Sequence, residues 1–397
     1  MEEEESVCVR GGKKKMEKEE SLPVELMREI LLRLPVKSVL RFKCVCKSWL
    51  SLISEPQFGI SHYDIGAAAT RRVLLTSKSK SNSDLVYALS VDIEAPLNKE
   101  SVPERFPLPT LSPPRNPSFQ FHSNQPLILG SCRGLLLLYH ETSADLILWN
   151  PSIRVYTRFP HFELLLTQKF LYGFLYDQSA HDYFLVLISF HLFSHALDVC
   201  KPQIQLFSFK TNSRTSLDIS VPYKHLGAEF GAASLLNGSL HWLVFCQDTN
   251  IPVIVAFDLT HRTLSDIPLF HHFTTQNYQV YGLRVMRESL SLCCSVRCSS
   301  ITEVWVMEQY KLHSSWTRSV VIQTYDIPHN LFSPICITKD GGIFGSNMRG
   351  SLEKRNHKGD LLEHLKCGRG QPFYKANLQV ATYTESLVSL PSVIGAN

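Results

Sequence analysis

A unit of about fifty residues recurs through this chain, and it constrains the fold more than any other feature. Each copy contains two apolar runs of strand length, separated by a polar turn. The paired runs are Gly134–Tyr139 with Leu146–Pro151, Asn237–Phe245 with Val253–Asp258, Ser289–Val296 with Thr302–Glu308, and Gly341–Phe344 with Ser351–Arg355. Such a step, with about four strands in each unit, is typical of a β-propeller blade. The pattern predicts a mainly antiparallel propeller in preference to an irregular β-sandwich with coincidental spacing.

Short apolar runs separated by Ser, Asn, Pro and Gly extend the strand pattern back to about residue 61. The strands predicted there include Arg72–Thr76 and Leu85–Val91. The Pro- and Ser-rich segment Glu94–Asn124 is predicted to be a long exposed loop without a structural element. We expect Ala381–Leu390 to close the ring with the first two strands, because closure removes sheet edges. A longer step before Phe209 indicates an insertion near Phe190–Cys200.

The stretch Ser21–Phe58 has the pattern of three short helices. The first helix carries one apolar stripe, formed by Leu26, Ile30, Leu31 and Leu34. Prolines are placed to begin the first helix, to end it and to stop the third, at Pro23, Pro35 and Pro56. Fewer than about forty residues cannot bury this many apolar side chains, so the unit needs a partner. A helical cap packed on the following domain is the alternative.

The order and spacing of these residues resemble the F-box of plant F-box proteins. The resemblance covers essentially the whole motif, and it implies binding to the Skp-type adaptor of a cullin–RING ubiquitin ligase. The residues that it assigns to adaptor binding are Leu22, Pro23, Ile30, Leu31, Leu34, Pro35, Leu40, Val45, Cys46, Trp49, Leu52 and Ile53. Six Lys and Arg residues against three Glu in the same stretch favour an acidic partner.

A second resemblance concerns the β domain, which is similar to the F-box-associated, kelch-like region of the same proteins. It covers about 130–267 and rests on Gly130–Leu135, Leu148–Pro151, Tyr172–Phe174 with Asp177, Leu236–Trp242 and Ala256–Leu259. The paired glycines and the tryptophan of strict kelch repeats are absent from most of the units. The expected fold class is therefore α+β and multidomain: a charged disordered tail (1–20), a three-helix F-box (21–60) and a β-propeller-like domain (61–397).

Composition sets the expected compartment and partners. A net charge of +4 is too small to indicate binding to nucleic acid. No apolar run approaches the length of a membrane-spanning helix. Eleven cysteines without a regular framework fit a reducing compartment, so we expect a cytoplasmic or nuclear protein. Neither a nucleic acid nor a membrane is an expected partner.

Motifs for chemistry are incomplete in this sequence. Gly345–Gly350 has the first half of a phosphate-binding loop but lacks the Lys-Ser/Thr ending. Cys293, Cys294 and Cys298 are not spaced as a zinc site, and no nucleophile elbow is present. We therefore expect no catalytic activity and no cofactor, and a role in recruiting an unidentified target protein for ubiquitination and proteasomal degradation. The alternatives are a propeller-fold enzyme with an incidental helical cap and an adaptor-bound scaffold that does not direct degradation.

Overall fold

The computed structural model describes residues 23–66, 69–77, 87–97, 104–108, 126–141, 143–162, 164, 168–191, 202–225, 231–297, 299, 301–323, 332–347, 351–366 and 379–391. The predicted charged tail and residues 192–200 of the predicted insertion lie outside these ranges. No helix in the described ranges has both the length and the apolar character that crossing a membrane requires.

Four helices open the described part of the chain: α1 (Val24–Leu32), α2 (Val36–Phe42), α3 (Lys47–Ser54) and α4 (Pro56–Ile65). The first three agree with the sequence prediction. The fourth was missed, because Pro56 was interpreted only as a stop. Pro56 is in fact the first residue of α4, a position where proline has no hydrogen bond to lose. Helix α4 continues past residue 60, where the F-box was predicted to end.

Twenty-five strands follow within the described ranges and form six antiparallel sheets, which are the blades of a propeller. Blade I contains β1 (Arg71–Ser77), β2 (Tyr87–Asp92), β3 (Glu104–Pro107) and the last strand, β25 (Gln379–Thr384). Blade II contains β4 (Leu127–Cys132), β5 (Leu135–His140), β6 (Asp145–Asn150) and β7 (Val155–Phe159). Blade III contains β8 (Gln168–Asp177), β9 (Asp182–His191), β10 (Gln203–Ser208) and β11 (Ser213–Leu217).

The remaining blades have the same order from the inner to the outer strand. Blade IV contains β12 (Tyr223–His225) and β13 (Ser234–Leu236), which share the inner position, with β14 (Ser239–Cys246), β15 (Pro252–Asp258) and β16 (Thr263–Pro268). Blade V contains β17 (Tyr278–Met286), β18 (Ser289–Val296), β19 (Ile301–Met307) and β20 (Trp316–Gln323). Blade VI contains β21 (Phe332–Ile337), β22 (Ile343–Asn347), β23 (Ser351–Arg355) and β24 (Leu361–Lys366).

Strand β3 corrects the sequence prediction, since it lies inside the segment that was expected to be a loop. It is the outer strand of blade I and pairs only with β2 among the described strands. An outer strand has one ladder to satisfy and tolerates proline, so the Pro-rich composition around it does not prevent pairing. The proline and serine content of the segment therefore concealed a short edge strand.

Ring closure follows the prediction in part. Strand β25 is the inner strand of blade I and pairs with β1 from Arg71 opposite Thr384 to Thr76 opposite Gln379. The predicted closing segment extended to Leu390, but the ladder ends at Thr384. The chain then leaves the sheet and runs under the helices as the C-terminal segment, which we define as Glu385–Pro391.

Each pair of neighbouring blades shares an apolar core. Trp149 is buried between blades I and II, and Trp242 is buried between blades III and IV. Trp305 is partly exposed and stacks on Phe270 with ring centroids 3.9 Å apart. The three tryptophans therefore fill space between neighbouring blades.

The C-terminal segment seats the helical unit on the propeller. Leu387 is buried in the core of the helices, and Gly59 of α4 packs so closely on the Leu387 carbonyl group that an added Cβ would overlap its oxygen. The buried amide of Asn150 donates to the carbonyl oxygens of Ser386 (3.1 Å) and Val388 (2.9 Å). The helices therefore rest on the last residues of the fold, over blades I and II.

His241 is fully buried in β14, and its surroundings predict a pH dependence of stability. Its ring nitrogens contact the Ser234 carbonyl oxygen (3.2 Å) and the Tyr310 hydroxyl (2.8 Å), and burial lowers its pKa to about 4. The unfolded chain binds a proton near pH 6.5 that the folded chain does not bind until about pH 4. We expect this residue to remove about 2 kcal/mol of stability between pH 7 and pH 5.

Urea unfolding at the two pH values checks this prediction. In the wild type, the free energy of unfolding should be lower at pH 5 than at pH 7. In His241→Gln this difference between the two pH values should be smaller by about 2 kcal/mol. The same comparison with His357→Gln, at an exposed position, controls for loss of a histidine as such. An equal pH dependence in His241→Gln and the wild type would contradict the assignment.

Candidate functional site

Helix α1 has two apolar faces. Leu31 and Leu32 point into the helical core and are 1% and 3% exposed. Leu26 and Ile30 are each 52% exposed, and their four-residue spacing places them on one outward face. A helix that is apolar on both sides presents a surface that the rest of this chain does not cover.

The turn between α2 and α3 extends the exposed apolar surface. Val45 is 59% exposed, and Leu50 on α3 is also largely exposed. Cys46 caps α3 and is exposed, with its sulfur 3.0 Å from the Ser48 hydroxyl. The hydrogen bond from Ser48 is the main cause that lowers the pKa of the Cys46 thiol.

The residues predicted to bind the adaptor fall into three groups by exposure, with Leu22 outside the described ranges. Exposed at the surface are Pro23, Ile30, Pro35, Val45 and Cys46. Half-buried against the core are Leu34, Leu40, Trp49 and Leu52. Buried within it are Leu31 and Ile53. Leu31 and Ile53 support the surface residues from within the core. Direct contact of all twelve residues with the adaptor stays a prediction.

Trp49 holds the three predicted helices together. Its indole nitrogen lies 3.2 Å from the Met27 sulfur on α1, and its ring meets Phe42 of α2 edge-on at 5.4 Å. The indole therefore fixes the angle between α1, α2 and α3 and leaves one edge at the surface.

Sequence reasoning missed Val24, Leu26 and Leu50 as surface residues. Leu26 was assigned to a single stripe with Ile30, Leu31 and Leu34. Helical spacing contained the correction, since Leu26 and Ile30 form one line, whereas Leu31 lies about 100° away from Ile30. Two apolar lines in different directions around a helix indicate two partners, one internal and one external.

The charges of the helical unit are unevenly paired. Arg33 contacts Glu29 (2.6 Å), and Lys37 contacts Glu104 of β3 (3.2 Å). Three further basic residues have no acidic partner within 4 Å among the described residues: Arg41, Lys43 and Lys47. They flank the exposed Val45, so an apolar surface with a basic rim is available for an acidic partner.

Helix α4 connects this surface to the propeller. Asp64 pairs with Arg133 of the β4–β5 turn at 2.7 Å, and the Arg133 guanidinium lies over the ring of Tyr63. His62 is buried and its Nε2 lies 2.7 Å from the carbonyl oxygen of Leu34. Through α4, these contacts fix the position of the bend between α1 and α2 relative to blade II.

The opposite end of the propeller has a groove between blades III and IV. Its volume is about 770 Å³, and it is lined by Pro202, Gln203, Ser216–Pro222, Gln247 and Asp248. These residues lie at the ends of β10, β11 and β14 away from the helices. The helical unit therefore does not cover the strand ends on this face of the propeller.

The described residues give little support for a metal site or for a cysteine nucleophile. No three His, Cys, Asp or Glu residues there are grouped so that they could hold a metal ion. Burial raises the pKa of the Cys132, Cys293 and Cys336 thiols to about 12, which keeps them protonated and weakly nucleophilic. Cys293 and Cys294 are both buried in β18.

The architecture defines a class of protein: a small helical docking unit, with apolar surface to spare, seated on one face of a six-bladed propeller. Comparison with known families agrees with this class. The sequence model of the F-box domain matches residues 20–61, and that of the F-box associated beta propeller domain matches residues 80–355. The chain belongs to the family of F-box proteins with an F-box associated β-propeller domain.

Relatives in Arabidopsis thaliana match along most of the chain. An F-box/kelch-repeat protein is 25% identical over 384 residues, which cover 95% of this chain and 96% of that protein. F-box protein CPR1 is 26% identical over 327 residues, covering 76% and 73%. F-box/WD-40 repeat-containing protein 1 is 25% identical over 406 residues, covering 94% and 89%. The resemblance to plant F-box and kelch proteins is confirmed.

Proposed function

We propose that this protein is the substrate receptor of an SCF-type ubiquitin ligase. The helical unit binds a Skp-type adaptor, and through it the cullin–RING ligase. The propeller binds a target protein, and the associated enzymes transfer ubiquitin, so that this chain contributes proximity rather than chemistry. The single observation that carries the proposal is the exposed, basic-rimmed apolar surface of an F-box unit whose own core is already filled.

The F-box surface and the target should lie on different faces of the propeller. The helices cover the face over blades I and II, whereas the groove beside Asp218 and Asp248 opens at the other end. Binding residues commonly lie on loops that a rigid scaffold positions. The receptor would therefore hold the target at a fixed distance from the adaptor, and degradation of that target follows from its ubiquitination.

Replacing Leu26 and Ile30 together by Asp is expected to weaken adaptor binding at least about thirtyfold, or about 2 kcal/mol. Both side chains are half exposed, so the folded chain accepts the change, whereas two charges in an apolar interface are costly. A titration of the purified adaptor against the wild type and the Leu26→Asp/Ile30→Asp variant measures the loss.

The matched control is Val155→Asp/Tyr156→Asp, an exposed apolar pair on the outer strand β7. It should leave the affinity unchanged. In cells, Leu26→Asp/Ile30→Asp should also raise the abundance of the target, because the receptor then holds the target without the ligase. An unchanged adaptor affinity in the folded variant would refute this docking surface, and an unchanged target level would favour a scaffold.

A further inference from the structure

The central channel of the propeller opens toward α4. The channel mouth, with a volume of about 820 Å³, is lined by Tyr63, Arg71, Arg133, Arg287 and Glu288 among others. It leads to an inner chamber of about 200 Å³, whose lining includes Arg284. Four arginines therefore face one continuous space, against a single acid among the described residues that line it.

Arg284 carries a buried donor without a partner. It lies on β17, opposite Ser291 of β18, and its Nε is buried with no hydrogen-bond partner among the described residues. Neither a hydrogen bond nor an ion pair joins the rest of its guanidinium to any described residue. The rest of the side chain is partly exposed, but a buried Nε–H group without a partner opposes folding, so this arginine is not explained by the stability of the propeller.

The other cations at the mouth differ in how far they are neutralised. Arg71 pairs with Glu94 at 2.8 Å, and Arg133 pairs with Asp64 at 2.7 Å. Arg287 is exposed and has no ion pair within the described part of the chain. After these pairings the positive charge left in the space belongs to Arg284 and Arg287, and only Glu288 offsets it.

The size and walls of the space suit a small organic ligand. Pockets for small molecules usually enclose about 300–1,000 Å³ and combine apolar walls with a few polar groups. Here the apolar part of the lining includes Ile93, Leu235 and Val285. Guanidinium groups bind phosphate and carboxylate oxygens in pairs, which a single lysine cannot do.

We propose that the channel mouth and the inner chamber bind a small anionic molecule, whose phosphate or carboxylate group is held by Arg284 and Arg287. This site is distinct from the adaptor surface and from the groove between blades III and IV. Because Tyr63 belongs to α4, a ligand in the mouth contacts the helical unit and the propeller together. The protein would thus sense a metabolite at the junction of its two functional parts.

Thermal unfolding of the full chain tests the proposal with phosphate, pyrophosphate and citrate, each at about 10 mM, against sodium chloride of equal ionic strength. At least one of the three anions should raise the wild-type Tm by about 2 °C or more, because a ligand bound only by the folded state stabilises it. A rise with phosphate or pyrophosphate would indicate a phosphate ligand, and a rise with citrate would indicate a carboxylate ligand. The rise should be absent in Arg284→Gln.

Two further measurements separate a ligand site from a structural one. Without added anion, Arg284→Gln should melt at the same temperature as the wild type or above it, since the variant loses a buried Nε–H group that has no partner among the described residues. Arg287→Gln, at an exposed position, should show a smaller rise in Tm with the anion than the wild type. It replaces Arg284→Gln as the test variant if Arg284→Gln does not fold. Arg262→Gln, an exposed arginine on the same face but outside the channel, should keep all of it.

The proposal is overturned if none of the three anions shifts the wild-type Tm beyond chloride. It is equally overturned if the shift survives in Arg284→Gln and Arg287→Gln. A fall in the Tm of Arg284→Gln without anion, with no anion-specific shift in the wild type, would make Arg284 a structural residue.

Discussion

A chain that ends at Tyr374 is expected to lose the cooperative unfolding of the propeller. The truncation removes β25 and the C-terminal segment, and with them the inner strand of blade I. Tyr383, Leu387 and Val388 are only 5%, 6% and 4% exposed. Burying each contributes roughly 1.5–3 kcal/mol, so their loss alone approaches the 5–15 kcal/mol that stabilises a typical domain.

Thermal unfolding followed by circular dichroism measures this effect. The matched control ends at Pro391 and removes only residues 392–397, so it should melt like the full chain. A cooperative transition at the wild-type temperature in the chain that ends at Tyr374 would mean that blade I does not depend on β25.

Replacing Arg72 by Met is expected to destabilise the protein by roughly 3–5 kcal/mol, because it leaves a buried carboxylate unpaired. The Arg72 side chain is 7% exposed and contacts Glu385 (3.2 Å), Glu104 (3.1 Å) and the Ser90 hydroxyl (2.6 Å). Burial raises the pKa of Glu385 even with Arg72 present. Glu385 begins the C-terminal segment, so the change also weakens the seat of the helices.

Replacing both partners should recover most of the loss, since Arg72→Met/Glu385→Leu removes the unpaired charge as well. Urea unfolding of the wild type, the two single variants and the double variant gives the coupling energy. Arg33→Met, which breaks the exposed pair with Glu29, is the control and should change stability by less than about 1 kcal/mol. If the double variant is no more stable than Arg72→Met, the charge pair is not the cause.

Local sequence patterns predicted the parts of this fold that local rules determine. Continuous apolar runs placed the two central strands of blade II, β5 and β6, and prolines marked α1 and α2. Helix α4 escaped because its buried residues Phe58 and Gly59 pack against Leu387 of the C-terminal segment, more than 300 residues away in the sequence. No pattern within α4 indicates that partner.

The surface residues of the F-box were also predictable only in part from the sequence. The F-box pattern identified which helices carry the site, and Ile30 and Val45 are exposed within it. Helical spacing separates Leu26 from Leu31, but it cannot say which of the two faces the core, because that depends on the packing of α1 on α4. Arg284 gave no signal at all, because a channel exists only when six sheets meet around an axis.

Synthesis of this protein must proceed for a long time before its architecture can be completed. Strand β1 leaves the ribosome about 300 residues before β25, a delay of roughly 15–60 s at ordinary elongation rates. During that interval one edge of blade I is a template for wrong pairing, and the helices have no C-terminal segment to rest on. A nascent or prematurely terminated chain can therefore expose its helices without holding them in position, whereas a chain that includes β25 and the C-terminal segment fixes them on the propeller.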